Sequence, residues 1–193
     1  MMWRRRWVLR SLAAWPAACS SPNPTLYVLA AEPGAVRNGA PRNIELRAIG
    51  LPRYLERSQI VRSSEGYRMD VLANEWWGEP LDAMLARVLV EELGQRLPGS
   101  TVYAEAGAIT TAPDATVEVN LQRFDLDRQG EVLLMAQVAV EARGSSTRGV
   151  RFTERPTNAT TGALVAAMSV VTAQLADTIA TMLARGAVKG RGV

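Results

Sequence analysis

The chain has 193 residues, 48% of them hydrophobic, with 22 basic and 19 acidic side chains. That length and apolar content suit one folded domain of ordinary size rather than a disordered chain. There is no histidine and a single cysteine, Cys19; this excludes Ser-His-Asp and Cys-His nucleophilic sites, His-ligated metals and thiolate zinc sites as these are usually built.

Arg4, Arg5, Arg6 and Arg10 open the chain, an apolar run covers Trp7 to Ala18, and Ala17-Ala18 stand directly before Cys19. The run is broken by Arg10 and Ser11. It is shorter than the about 20 apolar residues that cross a bilayer, and it fits the apolar region of an export signal. Basic start, short apolar run and small residues before a lone cysteine form the layout of a bacterial lipoprotein signal. Residues 1–18 are therefore expected to be removed and Cys19 to be acylated, which gives an unpaired thiol in an oxidising compartment a purpose. Pro16 stands where such signals usually carry Leu, Val or Ile. Ser20, not Asp, follows the cysteine, so sorting to the outer membrane is expected. The competing readings are an ordinary cleaved signal and a basic N-terminus with an inert buried cysteine. Loss of residues 1–18 turns the formal charge of +3 into 18 basic against 19 acidic residues, a net of −1. The basic balance of the full chain is thus no argument for a nucleic-acid partner, and none is expected.

Ser20 to Pro24 reads as a tether kept extended by two prolines. Thr25 to Leu29 reads as a strand and residues 32–41 as a Gly/Pro-rich loop. Asn43 to Ile49 alternates as a half-buried strand. A helical turn around Tyr54 and Leu55 leads into a strand at Gln59-Ile60-Val61, with a hairpin across residues 63–66 and a return strand from Tyr67 to Leu72. Pro80 is placed as the first residue of a helix. Leu81, Met84, Leu85, Val88, Leu89, Leu93 and Leu97 form its apolar stripe, with Arg87, Glu91, Glu92 and Gln95 assigned to the opposite face. Pro98-Gly99 ends it, and Thr101 to Glu105 is a strand. A crossover from the Tyr67–Leu72 strand to this one should be right-handed if the two are parallel.

In the C-terminal half, Thr116 to Leu126 switches phase between Leu121 and Phe124, which predicts a bulge near Gln122-Arg123. Asp127 to Gly130 turns, Val132 to Val140 alternates, residues 144–147 turn again, and Arg148 to Arg155 returns: a three-stranded meander. A long helix opens at Thr161 or Gly162, with Leu164, Met168, Val171, Leu175, Ile179 and Met182 on one stripe. Gly186 is expected to end it, leaving residues 187–193 as a disordered tail. The fold class is mixed α/β, a mixed sheet covered by two long helices. The domain spans 25–186, after a signal of residues 1–18 and a tether of residues 19–24.

No G-x-x-x-x-G-K-[ST] and no helix-opening G-x-G-x-x-G occurs, so no phosphate cradle, cofactor or metal site is expected. Asp125 and Asp127 share a strand face; a solvated strand end is favoured over a paired-carboxylate site. Asn158-Ala159-Thr160 is read as a helix cap rather than a glycosylation sequon. Trp77 is assigned to the core and Trp76, its neighbour, to the other side. The irregular segment with Tyr54, Arg57 and Gln59, together with Trp76, supplies the candidate partner-binding residues, because such loops carry function and aromatic and Arg side chains anchor interfaces.

The ordered pieces Cys19-Ser20-Ser21-Pro22, Tyr27-Val28-Leu29, Leu51-Pro52 with Tyr54-Leu55-Glu56-Arg57 and Gln59-Ile60-Val61, and Trp77-Gly78-Glu79-Pro80-Leu81 resemble the PqiC-like auxiliary lipoproteins of ABC-type transport systems. Gly78 stands where that family often has Ala. The resemblance covers nearly the whole mature chain. It implies an anticodon-binding-like α/β domain and a non-enzymatic role. It also implies anchoring by N-terminal acylation in outer-membrane lipid, on the periplasmic side, and ring-like homo-oligomers. The partners implied are an MCE-domain periplasmic protein and its inner-membrane permease, in a lipid transport system that maintains envelope integrity. Two other readings stand beside it: a general envelope-assembly lipoprotein without an ABC partner, and a periplasmic hydrolase with a carboxylate pair.

Overall fold

The computed structural model describes residues 23–64, 66–109 and 111–188, the side chains of 186–188 excepted. Cys19, the signal and residues 189–193 lie outside the described residues. Among the described residues eight strands and two long helices run in the order β1 (Thr25–Tyr27), β2 (Asn43–Leu46), a 3-10 turn (Arg53–Leu55), β3 (Gln59–Ser63), β4 (Asp70–Trp77), α1 (Leu81–Arg96), β5 (Thr101–Ala104), β6 (Ala115–Leu126), β7 (Val132–Glu141), β8 (Ser145–Glu154) and α2 (Thr161–Val188).

All eight strands join one mixed sheet. Its path is β1-β4-β3-β6-β2-β5, with β7 and β8 branching from β6 as the expected meander. β6 is the hub: parallel to β2 and β3, antiparallel to β7. Leu121 pairs with Ala136 and Arg123 with Met135, so Gln122 is the one extra residue. The bulge lies where the change of apolar phase places it. It brings Phe124 onto the buried face with Val117, Val119 and Leu121, all at most 3% exposed.

The Tyr67–Leu72 strand is misplaced by the sequence. β4 runs from Asp70 to Trp77, and Tyr67 lies in the loop before it. Asn74-Glu75 reads as loop sequence, yet β4 is paired on both sides here: Glu75 with Thr25, and Trp76 with both Leu26 and Gln59. Backbone pairing outweighs the poor strand preference of Asn and Glu. β4 is antiparallel to β3, whereas β3, β6, β2 and β5 are all parallel. α1 therefore connects antiparallel strands from distant places in the sheet, and the condition for a right-handed crossover is not met.

α1 and α2 pack on each other and on one sheet face, α2 over β6 to β8 and α1 against β5. On the opposite face Glu118, Asn120, Gln122 and Gln137 are exposed, and no helix among the described residues covers them. Pro80 sits one position earlier than expected, before the first turn, where its carbonyl accepts the Met84 N–H at 2.9 Å. Leu85, Val88, Leu89 and Leu93 are fully buried, as their stripe requires. α2 is long and apolar enough to span a membrane, but most of it is buried inside the protein. Its entry is capped as expected: Thr160 Oγ1 accepts the Ala163 N–H, and Asn158 Oδ1 holds Thr160 through its N–H and hydroxyl. It does not stop at Gly186 but continues to Val188. A single helical glycine costs only about 1 kcal/mol.

Candidate functional site

Of the four candidate residues, the structure places Gln59 beside Trp76 across two strands, and bonds Arg57 to the Tyr54 backbone within one turn. Gln59 and Trp76 face each other across the β3–β4 ladder, so their side chains share one face. Neighbouring Ile60 and Trp77 are 0% and 6% exposed and take the core side, so the Gln59–Trp76 pair looks outward. Trp76 Nε1 donates to the Ala73 carbonyl at 3.0 Å, which fixes the indole against its own strand.

Arg57 lies at the same end of the hairpin and lines a cleft of about 480 Å³. Ile49, Leu51, Trp77 and Leu81 give this cleft an apolar lining; Glu56, Glu79 and Asp82 join Arg57 among its charged groups. Arg57 Nε donates to the Tyr54 carbonyl at 3.0 Å, holding the turn closed. Glu79 takes two N–H bonds from Arg87, at 3.0 and 2.7 Å. The cleft is thus a half-apolar depression ringed by both signs of charge.

Tyr54 points away from the cleft. Its hydroxyl donates to Asp125 Oδ2 at 3.2 Å. Burial, then the Asp125 charge, pushes its phenol above the ordinary value. Asp125 corrects the solvated-strand-end expectation, because its side chain is fully buried. Ser64 Oγ donates to the same Oδ2, while Arg123 Nε and Nη2 reach Oδ1 at 3.0 and 2.6 Å. The bulge puts Phe124 on the helix-covered face and Asp125 on the opposite one, where Tyr54, Ser64 and Arg123 enclose it. Asp127, meanwhile, takes the N–H groups of Gln129 and Glu131 at 2.9 and 3.0 Å in a turn completed by Gly130 at φ +72°. The two carboxylates serve separate structural tasks and do not form a pair.

A second polar cluster was hidden from the sequence. Glu92 and Arg96, one turn apart on α1, are both 0% exposed, which corrects the assignment of Glu92 to the solvent face. They hold residues 29–37 across the α1–α2 groove. Glu92 Oε1 accepts the Glu32 N–H at 2.9 Å, Ser169 Oγ accepts the Ala30 N–H at 3.1 Å, and the Arg96 carbonyl accepts the Arg37 N–H at 2.7 Å. Burial raises the Glu92 carboxyl to about 7, against the Glu32 N–H and Arg96, which pull it down.

Because that folded value lies above the ordinary 4.5, the contribution of Glu92 is fully present below pH 4.5 and is lost as pH rises through 7. Glu92→Gln keeps the acceptor for Glu32 and cannot ionise. It should raise unfolding stability by about 1–3 kcal/mol at pH 8 relative to its effect at pH 4.5. Urea titrations at the two pH values check this; an equal effect at both would show that the carboxyl does not titrate with folding. Among the described residues no group of three or more His, Cys, Asp or Glu is placed to hold a metal ion.

The profile of the ABC-type transport auxiliary lipoprotein component matches residues 27–180. The chain belongs to this family. The match starts in β1 and ends inside α2, so it takes in the cleft, the Asp125 cluster and the strap at residues 29–37. No curated protein matches the chain. Among solved structures, an uncharacterized protein superposes with a TM-score of 0.71 at 20% identity, covering 83% of this chain and 99% of that one. A DUF330 protein from Xanthomonas campestris superposes with a TM-score of 0.68 at 14% identity, covering 88% and 99%. At these identities the likeness is one of fold. Membership of the auxiliary lipoprotein family gives the chain an accessory role beside an ABC-type transport system.

Proposed function

We propose that this protein is a non-enzymatic accessory subunit of an MCE/ABC-type lipid transport system, anchored through acylated Cys19 on the periplasmic face of the outer membrane. In this reading residues 1–18 are the signal, 19–24 the tether and 25–186 the working domain. The observation that carries it is the family match over residues 27–180, with the lone cysteine eight residues before its start. The protein works by docking on an MCE-domain partner that spans the periplasm and leads to the inner-membrane permease.

The docking surface is the end of the β3–β4 hairpin that carries Arg57, Gln59 and Trp76, beside the cleft. Tyr54 acts from beneath, because its hydroxyl is engaged by Asp125. An aromatic side chain and an arginine beside an apolar depression supply the anchors that interfaces use. The carboxylate-pair hydrolase loses its support, since Asp125 and Asp127 are committed elsewhere.

Replacing both Arg57 and Trp76 by alanine should leave the protein folded and its membrane placement intact and abolish co-purification with the MCE-type partner. Mass spectrometry of the mature protein should show an acylated Cys19 at the N-terminus. Wild-type levels of partner with the double variant would show that the docking surface lies elsewhere. If no MCE-type protein copurifies with the natural chain, the general envelope lipoprotein becomes the better account.

A further inference from the structure

β1 is parallel to β4, with Thr25 level with Glu75. The chain therefore approaches β1 from the same end of the sheet as the start of β4, which is where the β3–β4 loop turns. Six residue steps separate Cys19 from Thr25, a reach of at most ~20 Å. Five steps of β4, from Glu75 back to Asp70, cover ~17 Å. A fully extended tether from Cys19 is thus long enough to reach the level of residues 66–69 and little beyond it.

That loop carries what a bilayer interface takes. Tyr67 is fully exposed and Met69 is 41% exposed, although both are apolar-bodied side chains; Arg68 between them is exposed too. Among the described residues no hydrogen bond or ion pair engages their side chains: the ladder closes at Ser63 and Asp70, and Arg62 is paired with Asp70 at 3.7 Å. The β6–β7 turn, with exposed Arg128 and Gln129, lies at the same end, since Ser63 is level with Leu126. Tyrosine settles at the headgroup level with its ring in the acyl boundary. Residues 64–69 hold one basic and one acidic residue, so apolar burial rather than headgroup charge must carry the contact.

We propose that the β3–β4 loop is a second, non-covalent membrane contact, inserting Tyr67 and Met69 into the bilayer interface beside the lipid anchor. This rests on the reading of Cys19 as the anchor, and it fixes the orientation that the anchor alone leaves free. The Arg57–Trp76 end of the hairpin then faces away from the membrane, toward the periplasm and its partner.

The test uses the full chain processed by its host, purified and reconstituted into phosphatidylethanolamine/phosphatidylglycerol vesicles with or without brominated acyl chains. Tyr67→Trp should add tryptophan emission that brominated lipid quenches at least twofold. A control, Thr147→Trp, places an exposed tryptophan at the far end of the meander and should add emission that is not quenched. The N-terminal mass of the same sample reports acylation separately, so a failed anchor and a failed contact are told apart. Vesicle-bound protein whose Tyr67→Trp emission is unquenched overturns the proposal, as does quenching at position 147 instead. Acylated protein that binds vesicles only through its lipid gives the first of these results.

Discussion

Replacing Asp125 by alanine is expected to cost about 3–5 kcal/mol of folding stability, the range for removing one partner of a buried charge pair. The side chain is wholly buried, and its two oxygens accept from Tyr54, Ser64 and Arg123. Truncation takes the carboxylate from a guanidinium whose side chain is only 24% exposed and removes the acceptor of two hydroxyls. These donors come from three places: the 3-10 turn, the end of β3 and β6 itself. The loss should therefore loosen residues 51–58 as well as lower the global stability. Asp125→Asn keeps an acceptor for the hydroxyls and loses only the charge, so it should cost less than alanine; Tyr54→Phe should cost about 1 kcal/mol, the net worth of one hydrogen bond. Guanidinium denaturation of the three variants gives the order. Equal losses for Asp125→Ala and Asp125→Asn would mean that the charge, not the hydroxyl acceptors, carries the effect.

Asp125 also shows where sequence reading stops. The apolar phase change between Leu121 and Phe124 is enough to place a bulge, because a side-chain period of two cannot otherwise bury both. The meander and both helices follow from equally regular patterns; the family is indicated by the ordered set of short motifs it resembles. The same bulge, however, reverses which side of the strand Asp125 takes. A rule that sends charged residues to solvent then gives the wrong answer, since its partners Tyr54 and Ser64 are 71 and 61 residues away in sequence. The strand read at Tyr67–Leu72 is misplaced toward the N-terminus, for a related reason, relative to β4 at Asp70–Trp77. Asn74 and Glu75 are strand residues only because β1 and β3 pair on either side of them, and pairing is not visible locally.

Glu92 and Arg96 carried a signal that polarity concealed. Glu92 follows Val88 by four residues and Leu89 by three, and Arg96 follows Glu92 by four, so both fall within the apolar stripe of α1. Charged residues at stripe positions are the mark of a buried pair with partners from elsewhere. The candidate docking residues were legible as residue types. Their division into an outward Gln59–Trp76 pair, an Arg57 at the cleft and an inward Tyr54 needed the register of β3 on β4.

Arg96→Ala should be at least as damaging as the loss of Asp125. The guanidinium is fully buried and donates to Asp177 Oδ1 at 2.7 Å and to the carbonyls of Glu32, Glu92 and Ala173 at 3.1, 3.2 and 3.3 Å. Its bonds tie α1, α2 and the strap together. Alanine leaves acceptors unmet and opens a large cavity beside Glu92, for an expected loss of about 3–5 kcal/mol. Arg96→Met refills the volume without the donors, and so separates packing from bonding. Gly34 supplies the sharper measurement. A Cβ there would stand 2.2 Å from Cζ of Arg96, so the strap lies directly on the guanidinium and tolerates no side chain at that point. Gly34→Ala should destabilise the natural chain and be close to neutral once Arg96 is alanine. The interaction energy from this double-mutant cycle should be at least about 1 kcal/mol, well outside the few tenths that independent sites show. Additive costs in thermal melts would mean that the strap does not rest on the Arg96 guanidinium.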